Sequence, residues 1–102
     1  MVKHLVSWKF KPEVSDGQKK AVAEDFERRL KEVQAAAEGV VDVKVIAPPL
    51  PTSSVDIVLD GTFLTAEALA AYQVHPGHVA AVEACVKPYL TDRTCCDYEV
   101  GE

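Results

Sequence analysis

The chain has 102 residues, 48% hydrophobic and 26% charged, which is ordinary globular composition and the length of a single domain over residues 1–102. Eleven basic against sixteen acidic residues leave a net charge of −5, and no basic run longer than Lys19-Lys20 or Arg28-Arg29 offsets it, so nucleic-acid backbones and anionic membranes are poor partners. The three cysteines, Cys85, Cys95 and Cys96, are odd in number and two are adjacent, which disfavours a disulfide framework and fits a reducing, cytoplasmic setting. Lys3, His4, Lys9 and Lys11 interrupt the early apolar stretches, and no run approaches the roughly 18 apolar residues of a membrane span, so neither a leader nor an anchor is expected.

From Val2 to Phe10 the residues alternate, with Val2, His4, Val6, Trp8 and Phe10 on one side and Lys3, Leu5, Ser7 and Lys9 on the other. A period of two predicts a half-buried strand, closed by Pro12. Ser15 followed by Gln18 reads as a capping box opening a helix that runs to about Glu38. Its apolar stripe is Val22, Phe26, Leu30, Val33 and Ala37, and Gly39 is its expected left-handed stop. Val40 to Ala47 is rich in β-branched residues, with Val41, Val43 and Val45 expected on one face before Pro48-Pro49-Leu50-Pro51 forbids further pairing.

In the next strand Val55, Ile57, Leu59 and Phe63 alternate with polar residues, and Gly61 is a candidate bulge. Thr65 suits the N-cap of a short helix bearing Leu69 and Tyr72. His75-Pro76 should break that helix, and Pro76 suits the first turn of a second piece that runs to Pro88. Arg93 to Val100 alternates again as a fourth strand. The order β-α-β-β-α-β predicts an α+β, ferredoxin-like antiparallel sheet with helices on one face. The other face then carries Leu5, Ser7, Ile46, Val58 and Cys95 among charges. That face is semi-polar and suggests self-pairing only weakly, although a domain this small buries only about two-thirds of its unfolded surface and gains from a second copy.

Tyr72 through Val79, YQVHPGHV, is the densest candidate for chemistry, because it sets a phenol and two imidazoles at a helix break. Tyr72 and His78 can serve as an acid/base pair, since imidazole titrates near neutrality and a phenol can donate to developing negative charge. His78 falls in a first helical turn, where the dipole would keep it neutral. His4 adds a third imidazole on the helix side of the first strand, and Val6, Trp8, Phe26, Ile57 and Leu59, with His75, would line a substrate pocket there. His4 can equally be a satisfied core histidine, and His75 can equally cap the broken helix. Metal binding through His75-x-x-His78, with His4 as a third ligand, lacks a supporting ligand pattern, so no metal and no cofactor is expected. The cysteines read as small hydrophobes rather than nucleophiles, and no phosphate loop or nucleophile elbow is present.

Three stretches together resemble the stress-responsive dimeric α/β-barrel (Dabb) family: Val2 to Val6 with Lys9-Phe10-Lys11, Tyr72 to Val79, and Asp97-Tyr98-Glu99-Val100. The resemblance spans nearly the whole chain and implies a homodimer in which two sheets face one another as a barrel. The family includes stress-associated proteins and a plant polyketide cyclase. In that cyclase residues matching Tyr72 and His78 close a ring by aldol chemistry without cofactor or metal, and a pocket histidine matches His4. The cyclase has a further histidine where this chain has Ile57, so its substrate does not transfer with the motif. The resemblance therefore implies a small hydrophobic or aromatic ligand. The alternatives are a non-catalytic stress or ligand-binding protein, in which the same residues form a hydrogen-bond cluster, and a cofactor-free monooxygenase or isomerase of a related barrel.

Overall fold

The nine-residue alternation at the start forms β1 (Val2–Phe10), with its odd and even residues on opposite faces. The structure, a computed structural model, describes residues 1–101. After β1 come α1 (Asp16–Ala36), β2 (Val40–Ile46), β3 (Ile57–Phe63), α2 (Ala66–Gln73), α3 (Pro76–Ala81), a π-helical turn (Val82–Val86) and β4 (Leu90–Glu99). The strands form one antiparallel sheet in the order β2-β3-β1-β4, the ferredoxin-like α+β arrangement expected from the sequence. Among the described residues no helix is long and apolar enough to cross a membrane.

Helix α1 starts where Ser15 and Gln18 satisfy each other's backbone amides, and it buries Val22, Ala23, Phe26, Leu30 and Val33. It ends at Ala36 with an extended cap at Ala37, two residues before the expected limit. Gly39, at φ +78°, belongs to the turn into β2 rather than to the helix stop itself. Its carbonyl accepts from Leu64 N at 2.8 Å, tying that turn to the end of β3.

Two bulges correct the expected strand faces. The β2 register slips between Val40 and Asp42, so Val41 turns outward while Val43 is buried and Val40 and Val45 pack against the core. Gly61, the expected bulge, instead pairs in continuous register with His4. A second slip lies in β4 opposite Trp8, where Asp92 takes a positive φ of 55°, a conformation aspartate tolerates better than most residues. Beyond it Cys95 pairs with Val6 and Asp97 with His4, while Cys96 pairs with Leu5. Directly opposed residues share a face. Cys95 therefore belongs to the helix side, contrary to expectation, and Cys96 to the outer side.

The core lies between α1, α2 and α3 and the inward residues of β1, β2 and β3, with Trp8 set edge-on to Phe26 at 5.7 Å. The free edge of β2 is closed by α1 itself: Val43 N donates to Gln34 Oε1 at 3.3 Å and Val45 N to Glu27 Oε2 at 2.7 Å. On the outer face Lys3 Nζ donates to Asp60 at 2.5 Å and to Thr62 at 2.9 Å, and Ser7 is hydrogen-bonded to Thr94.

A Cβ at Gly39 would sit 2.6 Å from the Cβ of Ala68, on a backbone that L side chains rarely adopt. Gly39→Ala is expected to cost about 1–3 kcal/mol. Gly17→Ala, on an exposed helical position with nothing within 4 Å, should instead raise stability by a few tenths to about 1 kcal/mol. Urea midpoints of both variants beside wild type check the pair of opposite signs.

Candidate functional site

The sequence His75-Pro76-Gly77-His78 breaks the second helical segment and aims its residues in different directions. His75 is the N-cap of α3, its Nδ1 accepting from Gly77 N at 3.0 Å, and Pro76 fills the first position, where no amide is needed. Gly77 lies against α1 so closely that a Cβ would meet Val33 Cγ2 at 2.7 Å. That contact fixes where α3 begins and sends the His78 ring back onto Tyr72, the ring centroids 4.7 Å apart.

The rings continue inward. Phe63 lies 4.9 Å from Tyr72, and His4 stands edge-on to Phe63 at 6.2 Å. Tyr72 is fully buried, and neither its hydroxyl nor His78 Nδ1 has a hydrogen-bond partner among the described residues. Trp8 Nε1 is in the same condition. Burial raises the Tyr72 phenol well above its ordinary value, so the phenol stays protonated. Burial also lowers His78 from its ordinary value of 6.5, against the Gln73 backbone, which pulls the other way, and with further lowering from His4, Arg93 and His75. Desolvation is thus the leading cause of a neutral His78, in place of the helix dipole expected from sequence. A neutral imidazole that can accept and a neutral phenol that can donate stand side by side.

The remaining sequence candidates separate into groups. His4 is 2% exposed and hydrogen-bonded through Nδ1 to Asp97. Val6, Trp8, Ile57 and Leu59 form a buried apolar floor running away from His4, with Val6 opposite Leu59 and Trp8 opposite Ile57, and Phe26 covers it from α1. His75 lines a shallow cavity of about 280 Å³ with Arg29, Glu32, Val33, Gly77 and Ala80, apart from this floor. A groove of about 600 Å³ lies elsewhere, between the start of α1 and the Pro48–Pro51 loop. Neither space is lined by Tyr72, His78 or His4.

Phe63, Asp97 and Cys95 join the site although no motif marks them. Alternation in β3 already marked Phe63 as inward. Asp97 and Cys95 could be found only from the β1–β4 register, which alternation does not carry.

No curated protein matches the chain. Among solved structures it is similar to a dimeric protein of unknown function and ferredoxin-like fold from Bacteroides fragilis NCTC 9343, at 27% identity over 97% of this chain and 95% of the other, with a TM-score of 0.86. A Dabb family protein with a ferredoxin-like fold from Mesorhizobium loti MAFF303099 is 22% identical over 99% and 97% of the two chains, TM-score 0.73. A hydroxynitrile lyase from Passiflora edulis shares the fold at 14% identity, over 99% and 94%, TM-score 0.75. The sequence profile described as the stress responsive A/B barrel domain, Dabb, matches residues 2–100. With its sheet, its two helical segments and its Tyr-x-x-His-Pro-x-His break all inside that span, the chain belongs to the Dabb family of stress-responsive A/B barrel domains.

Proposed function

We propose that the chain works as a homodimer that takes a small apolar, carbonyl-bearing or aromatic compound between sheet and helices, where Tyr72 and His78 exchange protons with it. The observation that carries this reading is the pair of unpartnered polar atoms, Tyr72 Oη and His78 Nδ1, buried on rings 4.7 Å apart. An orphaned buried hydroxyl costs about 1–3 kcal/mol. A ligand hydroxyl that accepts from Tyr72 and donates to His78 Nδ1 removes that cost at both atoms, and a ligand carbonyl removes it at Tyr72 by accepting from the phenol. The floor of Val6, Trp8, Ile57 and Leu59 is apolar, which suits an aromatic or polyketide-like body. The rings are in contact, so a ligand reaches both atoms only as the rings separate, and the Val74–His75 break joins the two helices that carry them. The direct ring packing favours the second reading, a non-catalytic member in which the cluster is structural.

The outer face supports the dimer. Its polar side chains are already paired within the sheet through Lys3, Asp60, Thr62, Ser7 and Thr94, so covering it orphans none of these groups. Leu5, Ile46, Val58, Cys96 and Tyr98 supply apolar area beside them, and the two-sheet barrel of the family is the expected partner geometry. The free thiols of Cys85, Cys95 and Cys96 accord with a reducing, cytoplasmic setting.

Tyr72→Phe separates the two functional readings. It deletes an unpartnered hydroxyl, so the variant should melt at or up to several degrees above wild type while losing the thermal shift that small aromatic ketones induce in wild type. A melting point lowered by several degrees, with no ketone effect in wild type, would establish the structural reading instead.

Assembly is read by sedimentation at micromolar concentration, with a mass of about twice the 11.1 kDa chain expected; a species at 11.1 kDa overturns the dimer. The pH response follows from His78. Its folded pKa lies below the unfolded value, so its effect is absent above about 6.5, and stability is lost as the pH falls from 6.5 toward the folded pKa. His78→Gln should flatten the fall of urea midpoints between about pH 7 and 5, and an unchanged slope would show that His78 does not govern it.

A further inference from the structure

Beyond its bulge the helix side of β4 is exposed, and one buried imidazole reaches it. His4 Nδ1 meets the carboxylate of Asp97, its directly opposed partner, and Cys95 sits one pair further along the same face. The sulfur lies 3.9 Å from His4 Nδ1 and 3.6 Å from Asp97 Oδ1, and the three donor atoms all fall within 4.8 Å of one another. Tetrahedral zinc, with bonds of about 2.3 Å to sulfur and about 2.05 Å to nitrogen or oxygen, holds sulfur about 3.6 Å from each of the other two donors. Two of the three separations already match that figure to within a few tenths of an ångström. The third closes up only because Asp97, on an exposed side chain, leans onto the imidazole, and it is free to swing away.

We propose that His4, Cys95 and Asp97 form a site for a divalent metal of zinc-like preference, with three protein ligands and a fourth position open to solvent. The chemistry of the set selects the metal class. An imidazole, a thiolate and a carboxylate suit zinc or cobalt rather than magnesium or calcium, which prefer oxygen alone. The charges also balance, because a thiolate and a carboxylate neutralise a dication while the imidazole binds neutral. On binding, the thiol proton leaves to solvent and the proton on His4 occupies Nε2, so Nδ1 is free to ligate. His4 is held rigidly by its burial and by the edge contact with Phe63, which gives the site one fixed ligand and two that adjust. The metal binding set aside on sequence grounds concerned His75-x-x-His78; the triad here shares with it only His4. The site also stands apart from the proton-transfer pair of the previous subsection and does not depend on it.

The test is titration of metal-free, fully reduced protein with cobalt(II), followed by zinc(II). One equivalent of cobalt should produce a thiolate-to-cobalt charge-transfer absorption and the intense visible bands of tetrahedral coordination, and zinc should abolish both. Cys95→Ser should remove the charge-transfer absorption, and Asp97→Asn should weaken binding by at least about tenfold, the loss seen even when an outer-shell partner is removed. Both substitutions lie at exposed positions, and circular dichroism verifies that the variants fold. Cys96→Ser, one residue away on the other face, should titrate like wild type. Absence of a stoichiometric site, survival of the charge-transfer band in Cys95→Ser, or its loss in Cys96→Ser overturns the proposal.

Discussion

Everything in this molecule is registered against β1, a strand hydrogen-bonded on both sides, by β3 and by β4. Such a strand has no freedom left in its backbone, so each of its side chains is assigned to one face and held opposite a determined neighbour. The even residues Val2, His4, Val6, Trp8 and Phe10 build the inner wall, and Lys3, Leu5 and Ser7 build the outer one. His4 is therefore set beside Phe63 within the core and beside Asp97 on the exposed strand by the same register. A slip of one residue would carry the imidazole to the outside and bring Lys3 or Leu5 into its place.

Inside that wall, the polar groups divide by whether a neighbour satisfies them. His4 has Asp97, and the Cys85 thiol has the Asp25 carboxylate at 3.4 Å. Tyr72 Oη, His78 Nδ1 and Trp8 Nε1 have no partner among the described residues. For a domain of about 100 residues, whose whole stability is on the order of 5–15 kcal/mol, orphans costing about 1–3 kcal/mol each are a substantial share. Phenylalanine at 72 would fill the same volume without the penalty. The hydroxyl is therefore a cost to the fold, set against the ring contacts that Tyr72 makes with Phe63 and His78.

Much of the fold was legible because its signals are local. Ser15 with Gln18 marked the start of α1, the period of two marked β1 and β3, and Pro76 marked the break between α2 and α3. The site was legible in part for the same reason, since Tyr72 and His78 occur within one helical break. What was not legible depends on pairing across the sheet. The bulges at Val41 and near Asp92 reset the faces of β2 and β4, and a bulge leaves only a weak trace in alternation because both phases of a short strand contain apolar residues. Cys95 and Cys96 illustrate the cost of that ambiguity, being adjacent and chemically identical, so that only the partner strand decides which one faces the helices.

The edge position of β4 then gives its two faces different roles. Its outer residues Thr94, Cys96 and Tyr98 complete the surface formed by Ser7, Leu5 and Lys3, a surface whose polar groups are largely satisfied within the sheet. Its inner residues Cys95 and Asp97 face the helix side but extend past the helices, so they stay exposed although Val6 and His4 opposite them are buried. A central strand cannot do this, because the helices cover its inner face as they cover its neighbours'. An edge strand can bring solvent-facing ligands against a rigid buried donor while its opposite face joins an interface. In this chain the two adjacent cysteines follow that division, Cys96 lying on the face open to a second copy and Cys95 on the face where a buried imidazole meets solvent.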